Sequence, residues 1–305
     1  MNNDPDPEAQ QALSRRNFFK LAAGGIGTAL ISFYLVGHSP GCAGAQLITL
    51  GNSCQKQPTK KKVRVASYNI ANARGNTIDF WHTPTEKEVK ENLEQIVDFA
   101  RREDIDVLCM NEVDFNSQRT HNLDQARYIA DRLCYNHVIE EAIFSAPPYM
   151  KLGNAVVSRY PLKLNGHYQF GRNFSQRLRH MFKSFVDFDV LLPDRLNFIL
   201  THYDAESETV RREETKQILK HIKKKKQPFV LLGDFNAGPG KKSFDRLIRS
   251  GYVRNPYTGI LTYPADRPRE SIDHILVSPQ LNIRNYHSVH LEPSDHRPII
   301  GDIYR

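Results

Sequence analysis

Asp234 and Asn236 stand two residues apart at the end of the apolar run in LLGDFNAGPG (231–240), just before Gly238, Pro239 and Gly240. Side chains alternate along a strand, so the carboxylate and the amide project to the same side. Turn chemistry alone would explain them, because Asp and Asn favour strand ends before Gly and Pro. Other strand ends repeat the pattern. Asn69 closes VRVASYN, Glu112 follows DIDVLCMN and His202 closes LNFILTH. Asp273 lies in SIDHILVS, and Asp295-His296 opens the last apolar run. Singly, each reads as a turn residue, an ion-pair partner or a satisfied histidine. Together they supply what phosphate-ester cleavage needs: carboxylates for a hard cation, a general base for water, and donors for charge on phosphorus. No G-x-S-x-G elbow is present to support a serine nucleophile.

The elements that must position these residues alternate along 63–305 as one strand-rich α/β domain. Thr85 and Glu88 form a capping box, and Val89, Leu93, Ile96, Val97 and Ala100 follow a 3.6-residue period behind it. Leu123, Ala126, Ile129, Ala130 and Leu133 mark a second amphipathic helix. Strands are expected at 63–69 and 104–110, and near 138–144, 154–158, 183–190 and 196–201. Further strands are expected near 229–233, 272–277, 283–290 and 298–304. A charged helix is expected over roughly 208–226, with the lysines at 223–226 forming a solvated end that suits the helix dipole.

The 305 residues are 40% hydrophobic and 25% charged, the composition of an ordinary globular protein. A net charge of +8 suits an anionic partner such as nucleic acid, a phospholipid headgroup or a phosphoester, and equally a merely soluble basic surface. The four cysteines lack zinc spacing; Cys109 and Cys134 read as buried core thiols, and no disulfide framework is indicated. The first 45 residues resemble a twin-arginine signal peptide. Ser14-Arg15-Arg16-Asn17-Phe18-Phe19-Lys20 precedes a glycine-softened apolar run, and Ala43-Gly44-Ala45 fits a cleavage site. The run is short for a membrane span, and Cys42 lacks the usual lipoprotein context. Residues 46–62 read as a polar tether. The expectation is an exported protein, periplasmic or extracellular, that meets the twin-arginine translocase and stays membrane-tethered if the signal is uncut.

SYNIAN, VLCMNEVD, GNAVVSRYPL, THYD, GDFNAGP, TYPADRP…SIDHILVS and SDHRPI occur in the order of the endonuclease/exonuclease/phosphatase superfamily, the deoxyribonuclease I-like group. The resemblance spans 63–305. It implies a four-layer α/β sandwich of two packed mixed β-sheets flanked by helices; a monomer is expected, though the sequence alone does not fix the oligomeric state. It implies that Glu112 is the main Mg²⁺ (or Mn²⁺) ligand, with Asn69 and Asp295 helping to hold the metal or its waters. His296, oriented by Asp273, would be the general base or the electrostatic partner of the phosphate. Asp234 would position or activate the attacking water, and Asn236 with His202 would donate to phosphoryl oxygens. One departure is Asn111, where the family commonly has Gln before the glutamate. Substrate identity stays open among a nuclease-type phosphodiester, a phospholipid or sphingomyelin, and an inositol phosphate. Phe80, Trp81, His82, Tyr149, Met150, Arg172, Arg177 and Arg179 lie in loops that would set it, or simply pack there. A non-catalytic surface-binding homologue would predict substitutions at Glu112, Asp234 or His296, and none is seen.

Overall fold

In the strand Val107–Asp114, Val107 and Cys109 enter one hydrophobic cluster while Leu108 and Met110 enter another. Phe229–Asp234 does the same, with Val230 and Leu232 on one face and Phe229 and Leu231 on the other. Strands apolar on both faces must be covered on both, and that requirement builds the layers.

The computed structural model describes residues 44–51, 62–77, 82–146, 148–171, 183–255 and 259–305. Its strands are β1 (Gly44–Thr49), β2 (Val63–Asn69), β3 (Val107–Asp114), β4 (His137–Ala146), β5 (Met150–Ser158) and β6 (Leu162–Gln169). They continue as β7 (Ser184–Val190), β8 (Leu196–His202), β9 (Phe229–Asp234), β10 (Asp273–Val277), β11 (Asn282–Ser288) and β12 (Ile299–Tyr304). The helices are α1 (Glu86–Arg102), α2 (Gln125–Leu133), α3 (Glu208–Ile222) and α4 (Lys242–Arg249). Seven strands pair in the order β1-β4-β5-β3-β2-β12-β11, and five in the order β10-β9-β8-β7-β6.

The inward-facing residues of both sheets share one core, including Val65, Val107, Val156, Val186, Leu200, Val230, Ile275 and Ile299. Helices α1 and α2 cover the outer face of the seven-stranded sheet, and α3 and α4 that of the five-stranded sheet. The fold is therefore the expected four-layer sandwich of two mixed sheets. Among the named strands only β2–β3 and β8–β9 pair in parallel. A parallel pair needs a crossover, and α1 and α3 supply the two.

The capping box forms as the sequence predicts: Glu88 N donates to Thr85 Oγ1 at 3.3 Å, and Thr85 N to Glu88 Oε2 at 2.6 Å. Four expectations need correction. The stretch read as signal end and tether contains β1, GAQLIT, whose six residues pair with β4, so this half-exposed edge segment is held by main-chain bonds and by Gln46 Nε2 donating to Glu140 Oε2 at 2.7 Å. The charged helix stops at Ile222, and Lys225 beyond it is drawn to buried Asp187 rather than solvated. Strand β6 and helix α4 were not expected; β6 is too polar, as LKLNGHYQ, for a periodicity reading. Cys134 is no buried core thiol: it is half-buried and disulfide-bonded, while Cys109 is free and buried. The arginine-pair motif and the apolar run after it also lie outside the described residues. No helix among the described residues is long and apolar enough to cross a membrane.

Candidate active site

Both parallel pairs end at the same place, where an α/β sheet offers its strand C-termini to ligands. In the five-stranded sheet the register sets His202 beside Asp234, and Asp234 beside Asp273, on three adjacent strands. The close approach depends on Gly233, at φ +137°, where an added Cβ would lie 1.9 Å from the Thr201 carbonyl oxygen. In the seven-stranded sheet Asn69 lies beside Asn111.

Glu112 reaches the site through a β-bulge. Met110 pairs with Ala155 and Val113 with Gly153, so Asn111 and Glu112 together face the single residue Asn154. Glu112 is held at φ +54°, a left-handed conformation that costs a non-glycine residue roughly 1–3 kcal/mol. Its carboxylate is turned out of the sheet, with 27% of the side chain exposed. Asn111 secures the turn from beneath: its Nδ2 donates to Asn154 Oδ1 at 2.7 Å and to Thr201 O at 3.2 Å, and its Oδ1 accepts from Asp234 N at 3.0 Å. The shorter amide at this position thus ties the two sheets together directly.

Asp234 is the hub. Its Oδ2 accepts from Asn69 Nδ2 at 3.0 Å and Asn236 Nδ2 at 3.2 Å, and lies 3.6 Å from His202 Nε2 and 3.9 Å from His296 Nε2. Asn69 Nδ2 also donates to Glu112 Oε1 at 3.2 Å, and His202 Nε2 is 3.8 Å from the same oxygen. His296 Nδ1 is 3.0 Å from Asp273 Oδ2, which also accepts from Thr262 Oγ1 at 2.6 Å. Asp295 is tied to Arg74, whose Nη2 is 3.3 Å from its Oδ2, and Arg74 Nη1 is 3.8 Å from Glu112 Oε2. All eight expected site residues therefore converge at one end of the two sheets.

Two expected roles fall differently. Asn236, at φ +47°, spends its amide hydrogens on Tyr203 O at 2.9 Å and on Asp234, so it holds the carboxylate rather than facing a phosphate. His202 Nε2 lies 2.6 Å from Lys183 Nζ; an ammonium only donates, so His202 accepts there and is no donor to phosphate through that atom. Asn69 likewise offers its amide hydrogens inward, since its Oδ1 accepts from Ala71 N at 3.1 Å.

Lys183 and Arg74 are the residues sequence reasoning missed. Lys183, buried, precedes the apolar SFVDFDV strand, and a lysine directly before a fully buried strand was the available signal. Arg74 follows Asn69 after a left-handed turn, Ala71–Ala73, with φ of 45°, 46° and 55°. The turn is clamped by Gln125 Nε2 donating to Asn72 O at 2.7 Å and Asn92 Nδ2 to Ala73 O at 2.9 Å.

Burial would raise the Glu112 carboxyl, but the nearby His202, Arg74 and Lys183 outweigh it and hold it well below the usual carboxylate range. Burial, then the Lys183 ammonium, pushes His202 down to about 4. Burial works against a charge on His296 too, yet Asp273 and Asp234 outweigh it and lift the imidazole to about 10. Burial and the Asp273 carboxylate push Asp234 up. Two neighbouring histidines thus differ in charge at neutral pH, one kept neutral and one cationic.

A hard divalent cation prefers oxygen ligands. The carboxylates of Glu112 and Asp295, both within reach of one guanidinium, fit such an ion, and Glu112 is open to solvent. Asp234, Asp273 and His296 bring one potential ligand atom each within 4.8 Å of one another, a second donor set deeper in the site. Of the loop residues, Tyr149 is exposed (64%), while Phe80, Trp81, Arg172, Arg177 and Arg179 lie outside the described residues.

Two mixed sheets packed face to face, helices outside, and carboxylates, amides and imidazoles gathered at one end define a phosphoesterase-type α/β sandwich. The model of the Endonuclease/Exonuclease/phosphatase family matches residues 66–296, and the chain belongs to that family. No curated protein matches the chain by sequence. Among solved structures it resembles a mannosyl-6-phosphatase from Bacteroides thetaiotaomicron VPI-5482, at 18% identity and TM-score 0.59 over 80% of this chain and 100% of that one. The catalytic domain of human Nocturnin with bound sulfate aligns at 17% identity and TM-score 0.61, over 85% of this chain and 96% of that one. An engineered Danio rerio TDP2 aligns at 12% identity and TM-score 0.59, over 81% and 100%. At these identities the likeness is one of fold.

Proposed function

We propose that this protein is an exported, divalent-metal-dependent phosphodiesterase of nuclease type. The observation that carries the reading is the convergence on Asp234 Oδ2, where Asn69, Asn236, His202 and His296 from four separate stretches of chain lie within 3.9 Å. Bound at Glu112 and Asp295, Mg²⁺ or Mn²⁺ would supply Lewis-acid polarisation of a phosphoryl oxygen. Asp234, held by the Asn69 and Asn236 amides and with its carboxyl raised by burial, takes the proton from the attacking water. His296 keeps its Nδ1–H on Asp273 and turns Nε2 toward the reacting group as a cation, able to stabilise charge or protonate the leaving oxygen. Lys183 donates where His202 was expected to.

Export is supported by the arginine-pair leader and by the disulfide at Cys134, since such bonds persist in oxidising compartments. The net charge of +8 suits a polyanionic substrate such as nucleic acid.

The test is hydrolysis of bis(p-nitrophenyl) phosphate, with p-nitrophenyl phosphate as the monoester control, in Mg²⁺ or Mn²⁺ and in EDTA. The proposal expects diester turnover that needs metal and falls by about 10²–10⁴-fold in Glu112→Ala and His296→Ala. Equal rates in all three proteins would reject the site, and faster monoester turnover would reject the substrate class. Plasmid DNA, RNA, sphingomyelin and phosphoinositides then separate the diester classes.

A further inference from the structure

Arg74 is the side chain that touches both carboxylates assigned to the cation. Its Nη1 is 3.8 Å from Glu112 Oε2 and its Nη2 is 3.3 Å from Asp295 Oδ2, so one guanidinium spans the pair. Only 9% of the side chain is exposed. This placement is built rather than incidental. The left-handed turn before it is clamped by α1 and α2, and Gly75 N after it donates to Pro293 O at 3.1 Å, fixing the strand-exit loop against the segment that carries Asp295. A chain that accepts three consecutive residues at positive φ to deliver one arginine is positioning that arginine.

We infer that Arg74 is an internal counter-cation that competes with the divalent metal for Glu112 and Asp295, and thereby makes tight metal binding conditional on an anionic phosphate. The inference rests on the metal-site reading above. The physical reason is charge count. Two carboxylates already neutralised in part by a fixed guanidinium attract a divalent ion less than two free ones, and the ion and the guanidinium repel at these distances in a partly buried site. An ion held by Glu112 and Asp295 would therefore loosen Arg74 from these two partners. Drawing a buried guanidinium away from its carboxylates is costly, and a phosphoryl group is a ligand its planar fork fits. Phosphate and metal then bind with positive coupling, each improving the other's affinity by the same factor. A site of this kind stays weakly loaded until substrate arrives.

The experiment is a Mn²⁺ titration followed by the electron paramagnetic resonance of the free ion, with and without saturating inorganic phosphate. It uses the wild type, Arg74→Met, Arg74→Lys and Glu112→Ala. Methionine keeps the apolar stem and removes the charge; lysine keeps the charge. The inference expects Arg74→Met to bind Mn²⁺ about tenfold or more tightly without phosphate, and Arg74→Lys to stay within about threefold of wild type. Phosphate tightens Mn²⁺ binding several-fold in the wild type and leaves Arg74→Met nearly unchanged. Unchanged or weaker Mn²⁺ binding in a folded Arg74→Met, beside lost binding in Glu112→Ala, overturns the inference and spares the metal site. Unaltered binding in Glu112→Ala overturns the metal site itself.

Should Arg74→Met not fold, the wild type still decides. The Arg74 Nε–Hε resonance must shift during a Mg²⁺ titration, with the midpoint at which the metal site fills. A resonance that stays put across saturation overturns the inference.

Discussion

The two sheets contribute to the same site by opposite means. The five-stranded sheet delivers His202, Asp234 and Asp273 by plain register, three neighbours on three regular strands, with one glycine permitting the close approach. The seven-stranded sheet delivers Glu112 and Arg74 by distortion, through a bulge and a left-handed turn. The difference follows from what each side chain must do. Residues that orient one another across strands need only the sheet's own spacing, whereas a carboxylate that must leave the sheet to meet solvent, and on the proposed reading a cation, needs the backbone bent to present it.

The comparison is broken most severely on the regular side. Gly233→Ala places a Cβ 1.9 Å from a backbone oxygen that cannot move without parting β8 from β9. A loss of about 3–5 kcal/mol is expected, from overpacking together with the positive φ. Thermal or urea unfolding measures it, and a melting temperature within 2 °C of wild type, on the order expected of less than 1 kcal/mol, would show that the register is not under that constraint.

A pH profile sharpens the comparison at the seam between the sheets. Glu141 on β4 accepts from Asn154 Nδ2 at 2.8 Å and Ser184 Oγ at 3.0 Å, and so underlies the Asn111–Asn154 support of the bulge. Burial lifts its carboxyl to about 7. Its folded value lies above its unfolded one, so the folded state holds the proton longer. Stability therefore falls as pH rises from about 4.5 to 7, by roughly 3 kcal/mol for this group. Glu141→Gln should flatten that part of the profile and raise the melting temperature at pH 8. An unchanged slope between pH 4.5 and 7 would mean that Glu141 does not carry it.

The smallest effect lies farthest from the chemistry. Thr85 caps α1, the crossover behind the distorted side, at a solvent-exposed position. Thr85→Ala should cost about 1 kcal/mol in urea unfolding and leave turnover at its wild-type value. A large loss of turnover would mean that the bulge and the turn depend on the crossover helix more than their own clamps suggest.

What was legible in the sequence follows the same division. Strands apolar throughout, such as FVLLGD and LNFILTH, announce themselves, and so do polar residues at their ends. The capped helix at 85–102 declares its own start through Thr85 and Glu88. The bulge at Asn111–Glu112 leaves no pattern in composition, because the extra residue shows only against the partner strand. Lys183 and Arg74 were hidden for a related reason: each is a basic residue in a chain rich in them, and only the fold shows that these two point inward. Strand β1, GAQLIT, escaped because it is short and half-exposed, held mainly by edge pairing with β4 rather than by burial. The direction of the Asn236 and His202 hydrogen bonds could not be read either, since it depends on neighbours, Tyr203 and Lys183, that the motifs do not include.

The central claim is that the bent side and the regular side form one catalytic unit. Its most direct test is the double-mutant cycle of Glu112→Ala and Asp234→Ala, read as metal-dependent kcat/KM on bis(p-nitrophenyl) phosphate. One unit predicts strong non-additivity, with the double variant within about tenfold of the weaker single variant. Losses that multiply, each substitution costing as much in the presence of the other as alone, would mean that the two sheets serve separate sites.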